Sequence, residues 1–293
     1  MTIRLHHVAI NAPDPAETGR FYRDAIDVDI RPDETDPGCR WLAGANFYVA
    51  LHPANPGSQP DRDRQVCYPG IGHFCVQSGD GEGLWQSLAD GGMRFNDKPV
   101  ALGTGAIYAY GRDRDATLVE VEGVPNAEPQ TPIWFAHVAI VTPDIARLSD
   151  FYARFIGCDP HRTGRFDNPL FSNVTGMPDV DVSAAWIRTS SIQLEMWQYH
   201  HPPTGPASPT DAGAAGYRHI GFCCEDLDAE IARLDAAGIA VAEGDPVGGQ
   251  RTAWTRDPDG NRVALVEIVD AEAPLALDRL ADPDIVKRRL AAA

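Results

Sequence analysis

The feature that most constrains this chain is an internal duplication. His7-Val-Ala-Ile-Asn-Ala-Pro-Asp14 recurs as His137-Val-Ala-Ile-Val-Thr-Pro-Asp144. Each copy leads into a helix-like stretch with an aromatic pair, Phe21-Tyr22 and Phe151-Tyr152. Each half divides again. Gly72-His-Phe-Cys-Val76 opens a second strand, followed by a helix at about 82–90. Its counterpart is Arg218-His-Ile-Gly-Phe222, followed by a helix that Asp226 caps and Gly238 ends. After each helix come short β-type runs broken by Gly, Pro and Asp. The expectation is an α+β chain of four βαβββ units, starting near His7, His73, His137 and His219.

Pro-rich segments at 53–60, 124–132 and 202–209 separate the units. The reading is an N-terminal domain over 1–124, a linker over 125–132, a C-terminal domain over 133–271 and a C-terminal helix over 272–293. That helix has a basic end, Lys287-Arg-Arg, and either docks on the body or a second subunit or frays.

At 293 residues with 43% hydrophobic content, the chain can bury a proper core. A formal net charge of −17 argues against nucleic acid and anionic membranes as partners, because both are held by Lys and Arg. No apolar run approaches the roughly 20 residues that span a bilayer. The first residues read as a strand rather than a signal peptide, so a cytoplasmic location is expected. None of the six cysteines forms a C-x-x-C pair, and no disulfide scaffold is expected.

Chemistry enters with the histidines. Of nine, four open the first strand of a unit: His7, His73, His137 and His219. Four imidazoles in equivalent positions point to a metal. Carboxylates mark the last strands of units two and three. Glu120 lies between Val119 and Val121, and Glu195 between Leu194 and Met196. Period-two geometry puts each Glu on the face opposite its neighbours. Glu122 reads as a solvated edge acid. In units one and four the equivalent positions are Ala50 and Ala264, and Glu267 falls on the wrong face to replace Ala264.

This pattern resembles the vicinal oxygen chelate superfamily, which includes glyoxalase I, methylmalonyl-CoA epimerase, extradiol dioxygenases and bleomycin resistance proteins. Asp257-Pro-Asp-Gly-Asn-Arg-Val-Ala-Leu265 is similar to the family's last-strand motif. Asn173-Val-Thr-Gly-Met-Pro178 with Leu194-Glu-Met-Trp-Gln-Tyr199 is similar to the glyoxalase and epimerase branch. The resemblance covers about residues 3–270. It implies two open, barrel-like eight-stranded sheets, a small-molecule substrate, and one divalent metal ion: Zn, Ni, Co, Mn or Fe(II).

The family builds each metal cup from two units. If neighbours pair, the sets are His7, His73 and Glu120, then His137, His219 and Glu195. If the pairing is crossed, units two and three give His73, Glu120, His137 and Glu195, and units one and four keep only His7 and His219. Crossed pairing is favoured, because it sorts both surviving acids into one site. The implied activity is a metal-dependent isomerase or lyase of the glyoxalase and epimerase type. It would act on vicinal oxygens through an enolate, with Glu120 or Glu195 as base. Tyr110 stands where extradiol enzymes place a Tyr, but their second histidine is missing, which lowers the alternative of an Fe(II)- or Mn(II)-dependent ring-cleaving dioxygenase. A non-catalytic, bleomycin-resistance-like binding protein is a further alternative. Trp134, Phe171, Trp186, Trp197 and Trp254 are expected on the pocket wall. Arg165 and Arg188 read as surface, and His200 and His201 as a loop after the strand. A homodimer is among the expected assemblies.

Overall fold

The computed structural model describes residues 3–124, 127–128, 131–207 and 211–291. Half of the segment expected as the linker, 125–132, falls outside them.

Unit one comprises β1 (Arg4–Ala12), α1 (Pro15–Ile26), β2 (Asp29–Pro32), β3 (Arg40–Ala43) and β4 (Tyr48–Pro53). Unit two comprises β5 (Gly70–Ser78), α2 (Gly81–Asp90), β6 (Arg94–Phe95), β7 (Val100–Ala101), β8 (Ile107–Arg112) and β9 (Leu118–Gly123). Unit three comprises β10 (Trp134–Val141), α3 (Ile145–Ile156), β11 (Arg162–Phe166), α4 (Phe171–Thr175), β12 (Asp181–Arg188) and β13 (Gln193–His201). Unit four comprises β14 (Gly216–Cys224), α5 (Leu227–Ala236), β15 (Ala242–Glu243), β16 (Thr252–Arg256) and β17 (Arg262–Glu267).

One chemical device starts the long helix of every unit. An aspartate side chain accepts backbone N–H bonds of the first turn: Asp14 in α1, Asp80 in α2, Asp144 in α3 and Asp226 in α5. Glycine at the left-handed position ends α3 at Gly157. The short helix α4 was not expected. It sits over β8 of unit two, where Asn96 donates to the Val174 carbonyl at 2.9 Å.

The sheets are crossed. The first has the order β15-β16-β17-β14-β1-β4-β3-β2 and joins unit four to unit one. The second has the order β11-β12-β13-β10-β5-β9-β8-β6 and joins unit three to unit two, with β7 added beside β8. In each, the central contact is an antiparallel pair of first strands, β1 with β14 and β5 with β10. Both pairs carry register shifts at equivalent places.

The outer faces of both sheets and the helices bury one shared apolar core, where Phe135 packs against Phe47 and Phe74 at 5.6 Å each. Each inner face carries a smaller cluster of its own.

The tail is not one helix. A 3-10 turn at Leu277–Arg279 precedes α6 (Ile285–Ala291). Pro283 lies between them and forbids a continuous ladder of N–H bonds. Leu275, Ala276, Leu277 and Leu280 pack onto the inner face of the first sheet with Trp41, Tyr48, Ala50 and Ala264. Tyr48 Oη donates to the Ala276 carbonyl at 3.1 Å. Ile285 and Val286 of α6 join the shared core. If the tail is integral, Leu277→Ala should lower stability by about 2–5 kcal/mol in urea denaturation. A frayed terminus would give no change.

Candidate metal centre

The inner face of the second sheet collects the acids. Register places Cys75 beside both His137 and Glu120, and Ala139 beside both His73 and Glu195. Four side chains from β5, β9, β10 and β13 therefore meet: His73, Glu120, His137 and Glu195, all buried. His137 Nε2 is 2.7 Å from Glu120 Oε2 and 3.0 Å from Glu195 Oε2. His73 Nε2 is 3.2 Å from Glu120 Oε2 and 3.7 Å from Glu195 Oε2. The two ring nitrogens face each other at 3.2 Å.

These spacings suit a shared cation. Ligand atoms about 2.1 Å from a metal lie about 3.0–3.4 Å apart at right-angled to tetrahedral openings. Hydrogen bonding alone leaves the group incomplete, since Glu195 Oε2 has no hydrogen-bond partner. Two imidazoles and two carboxylates are also the donor types that divalent transition metals take. The four residues could hold a metal ion.

Without one, the cluster is an ion network. Burial disfavours the charged form of His137, but the charge of Glu195 and the bond to Glu120 outweigh it and raise its pKa to about 10. His73 is raised for similar reasons against the same burial cost. Burial acts to raise Glu120, but bonds from His137 and His73 hold it low.

Sequence reading missed two neighbours. Cys75 and Glu122 lie within ligand distance of Glu120 and His137. Glu122 is half-buried rather than solvated and accepts a hydrogen bond from Gln77 Nε2. Burial and then the charge of Glu120 raise its pKa. Its period-two spacing from Glu120 was the available signal.

The wall beside the cluster is aromatic. Phe171 stacks on Trp197 at 5.5 Å, and Trp186, Tyr199 and Tyr110 complete the cluster. The Tyr110 ring is 4.9 Å from His73. Tyr110 Oη and Trp197 Nε1 are buried without hydrogen-bond partners. Two wall expectations fail. Trp134 packs in the shared core, where its indole donates to Gln77 at 2.7 Å. Trp254 lies in the other sheet, 5.0 Å from His219. Arg165 pairs with Asp181 at the surface, and Arg188 is exposed. His200 and His201 are exposed but end β13 rather than lying in a loop after it, since His201 still pairs with Asp181 of β12.

The first sheet shows what the same register does without the acids. His7 pairs with Gly221 and His219 with Ala9, and Ala50 and Ala264 take the positions of Glu195 and Glu120. The histidines bond in series. His6 Nε2 reaches the Leu275 carbonyl at 2.7 Å, His6 Nδ1 meets His7 Nδ1 at 2.8 Å, and His7 Nε2 meets His219 Nε2 at 2.9 Å. A carbonyl only accepts, so neutral rings have one consistent proton order: His6 Nε2, His7 Nδ1 and His219 Nε2 donate. Burial depresses all three, His6 to about 4. Sequence reading overlooked His6.

Two crossed sheets with, among the described residues, one buried cluster of two histidines and two glutamates define a duplicated open-sheet α+β protein. Family models described as Glyoxalase/Bleomycin resistance protein/Dioxygenase superfamily match residues 136–274 and 4–121. The chain belongs to this superfamily. It is 20% identical over 304 residues to glyoxalase I of Saccharomyces cerevisiae, covering 90% of this chain and 92% of that protein. It is 26% identical over 137 residues to the uncharacterized protein YaeR of Escherichia coli, covering 45% of this chain and 93% of the relative. The fold matches crystalline glyoxalase I from Zea mays with a TM-score of 0.67 at 20% identity, covering 95% and 97% of the two chains. It also matches a putative dioxygenase from Bacillus subtilis at 0.60 and 13% identity, covering 96% and 90%.

The network has a pH consequence. His137 has a folded pKa above its unfolded 6.5, so its stabilisation is full below 6.5 and fades as pH rises toward about 10. The melting temperature of chelator-treated protein should fall between pH 6.5 and 10. The fall should be smaller in His137→Asn, which has no imidazolium to lose. Equal slopes would refute the assignment.

Proposed function

We propose that the chain is a metal-dependent enzyme of the glyoxalase and epimerase type. It isomerises or cleaves a small substrate bearing two adjacent oxygens. The observation that carries this reading is the convergence of His73, Glu120, His137 and Glu195 on one buried face. Those four would hold one divalent ion, with Zn, Ni, Co, Mn and Fe(II) all matching the donor set. When bound, the ion supplies a Lewis acid that stabilises negative charge developing on substrate oxygen.

The chain's own residues do the rest. Glu120 or Glu195 takes the proton from the carbon beside a carbonyl and returns it. The free hydroxyl of Tyr110, next to His73, donates to a substrate oxygen. The aromatic wall of Phe171, Trp186 and Trp197 excludes water and holds the substrate's apolar part. Ring cleavage is less well supported. Crossed pairing gives the cluster a second carboxylate in place of the two-histidine, one-carboxylate triad of iron oxygenases.

Metal analysis of purified protein should find about one ion per chain. That content should drop at least tenfold in His73→Ala or His137→Ala and stay unchanged in His219→Asn. Metal-free wild type would favour a binding protein instead. With a panel of small α-oxygenated carbonyl compounds, NMR should detect solvent deuterium entering the carbon next to the carbonyl. The exchange should slow by about 10²–10⁴-fold in Glu120→Gln or Glu195→Gln. Oxygen consumption with catechols, and no exchange, would overturn the proposal.

A further inference from the structure

Although the chain has a net charge of −17, a cleft among its described residues is walled by arginine. It lies at the seam between the two sheets, where β5 and β14 begin. Arg64, Arg112, Arg218, Arg256 and Arg262 line it, with only Asp61 and Asp115 as acids. The cavity is about 120 Å³, against roughly 10–15 Å³ for one water. None of the four centre residues lines it. Arg112 and Arg256 hold equivalent positions in units two and four, in Gly111-Arg-Asp-Arg-Asp115 and Thr255-Arg-Asp-Pro-Asp259.

Acids act on these cations only at a distance: Asp61 on Arg64 and Arg112, Asp113 on Arg112, and Asp245 on Arg262. Among the described residues, none of the five has a carboxylate within 4.0 Å. They are oriented by neutral groups instead. Arg64 donates to the Pro69 carbonyl at 2.7 Å, and Arg112 to the carbonyls of Ala116 and Arg64. Arg218 donates to Asn11 Oδ1 at 3.1 Å, and Arg256 to the Gly260 carbonyl at 2.6 Å. Arg262 lies over the Trp254 ring at 4.3 Å. Arg218 Nε is buried with no hydrogen-bond partner. All but Arg256 are half-buried, so solvent does not fully screen their mutual repulsion. Some arginines elsewhere pair with acids, as at Arg147–Asp259 and Arg251–Glu243, and others, such as Arg40 and Arg162, stand singly on carbonyls or rings. Gathering five without an acid partner leaves a site that an anion would complete.

We propose that this cleft binds the phosphoryl group of a small molecule. A planar carboxylate of single charge is satisfied by one guanidinium fork. A tetrahedral oxyanion of about two charges accepts donors from several sides, which is what guanidinium groups from separate loops present.

The test is calorimetric titration of the full chain with inorganic phosphate and with glycerol 3-phosphate, at low and high salt. Saturable binding of about one equivalent is expected, weakening with salt. Tighter phosphate would mark the free ion as ligand, and tighter ester a phosphorylated metabolite; either supports the site. Arg218→Gln with Arg262→Gln should weaken binding at least tenfold, while Arg188→Gln on the exposed surface should not. If the double variant fails to melt cooperatively, exposed Arg256→Gln should weaken binding at least threefold. Absence of saturable binding, binding indifferent to these variants, or binding lost after chelator treatment would overturn the proposal.

Discussion

The antiparallel pairing of first strands from opposite halves governs everything else in this molecule. β5 lies against β10 and β1 against β14. The pairing sets His73 opposite Ala139 and His137 opposite Cys75, so both rings reach the same face a short distance apart. The parallel strands β9 and β13 then deliver Glu120 beside Cys75 and Glu195 beside Ala139. A slip of one residue in any of these pairs would send its side chain into the shared core.

The same scaffold yields opposite electrostatics on its two inner faces. On the second sheet, carboxylates favour protonated histidines, and the group is a charged network that could hold a metal ion in place of those protons. On the first, alanines replace the acids and burial favours neutral rings. Gly221, at the position equivalent to Cys75, completes the difference. A Cβ there would stand 1.8 Å from the His7 ring, so the histidine chain depends on its absence.

Most of this was legible from the four histidines and the two surviving glutamates. The Ala50 and Ala264 equivalences follow from period-two counting, and the register bears them out. Features that depend on contacts across the chain were not legible. The tail reads as one helix because apolar spacing survives across Pro283, yet its leucines are placed by the surface they cover. Trp134 reads as a wall residue because an aromatic in a strand does not declare its face where the register shifts, and Trp254 because a sequence does not say which of two sheets a strand joins. His6 was overlooked since its role needs the Leu275 carbonyl, which lies 269 residues away in sequence. The arginine cleft is likewise assembled from four separated loops and strand ends.

Loss of the two acids and docking of the tail are physically linked. Two glutamates buried beside the His7 and His219 rings would need protons or a cation, and an apolar segment laid over them would strand their charge. With Ala50 and Ala264 in their place, the inner face becomes an apolar surface that itself needs cover. Leu275, Leu277 and Leu280 supply that cover, and the Leu275 carbonyl fixes the proton order of the histidines beneath. The tail therefore fits one face of the duplicated fold and not the other. On the acid-bearing face, cover comes from aromatic side chains and α4, which leave Tyr110 Oη and Trp197 Nε1 without protein partners. The histidine chain under the tail ends at His219 Nδ1, a ring nitrogen left without a partner, whereas the acid-bearing face leaves two donors uncommitted, Tyr110 Oη and Trp197 Nε1.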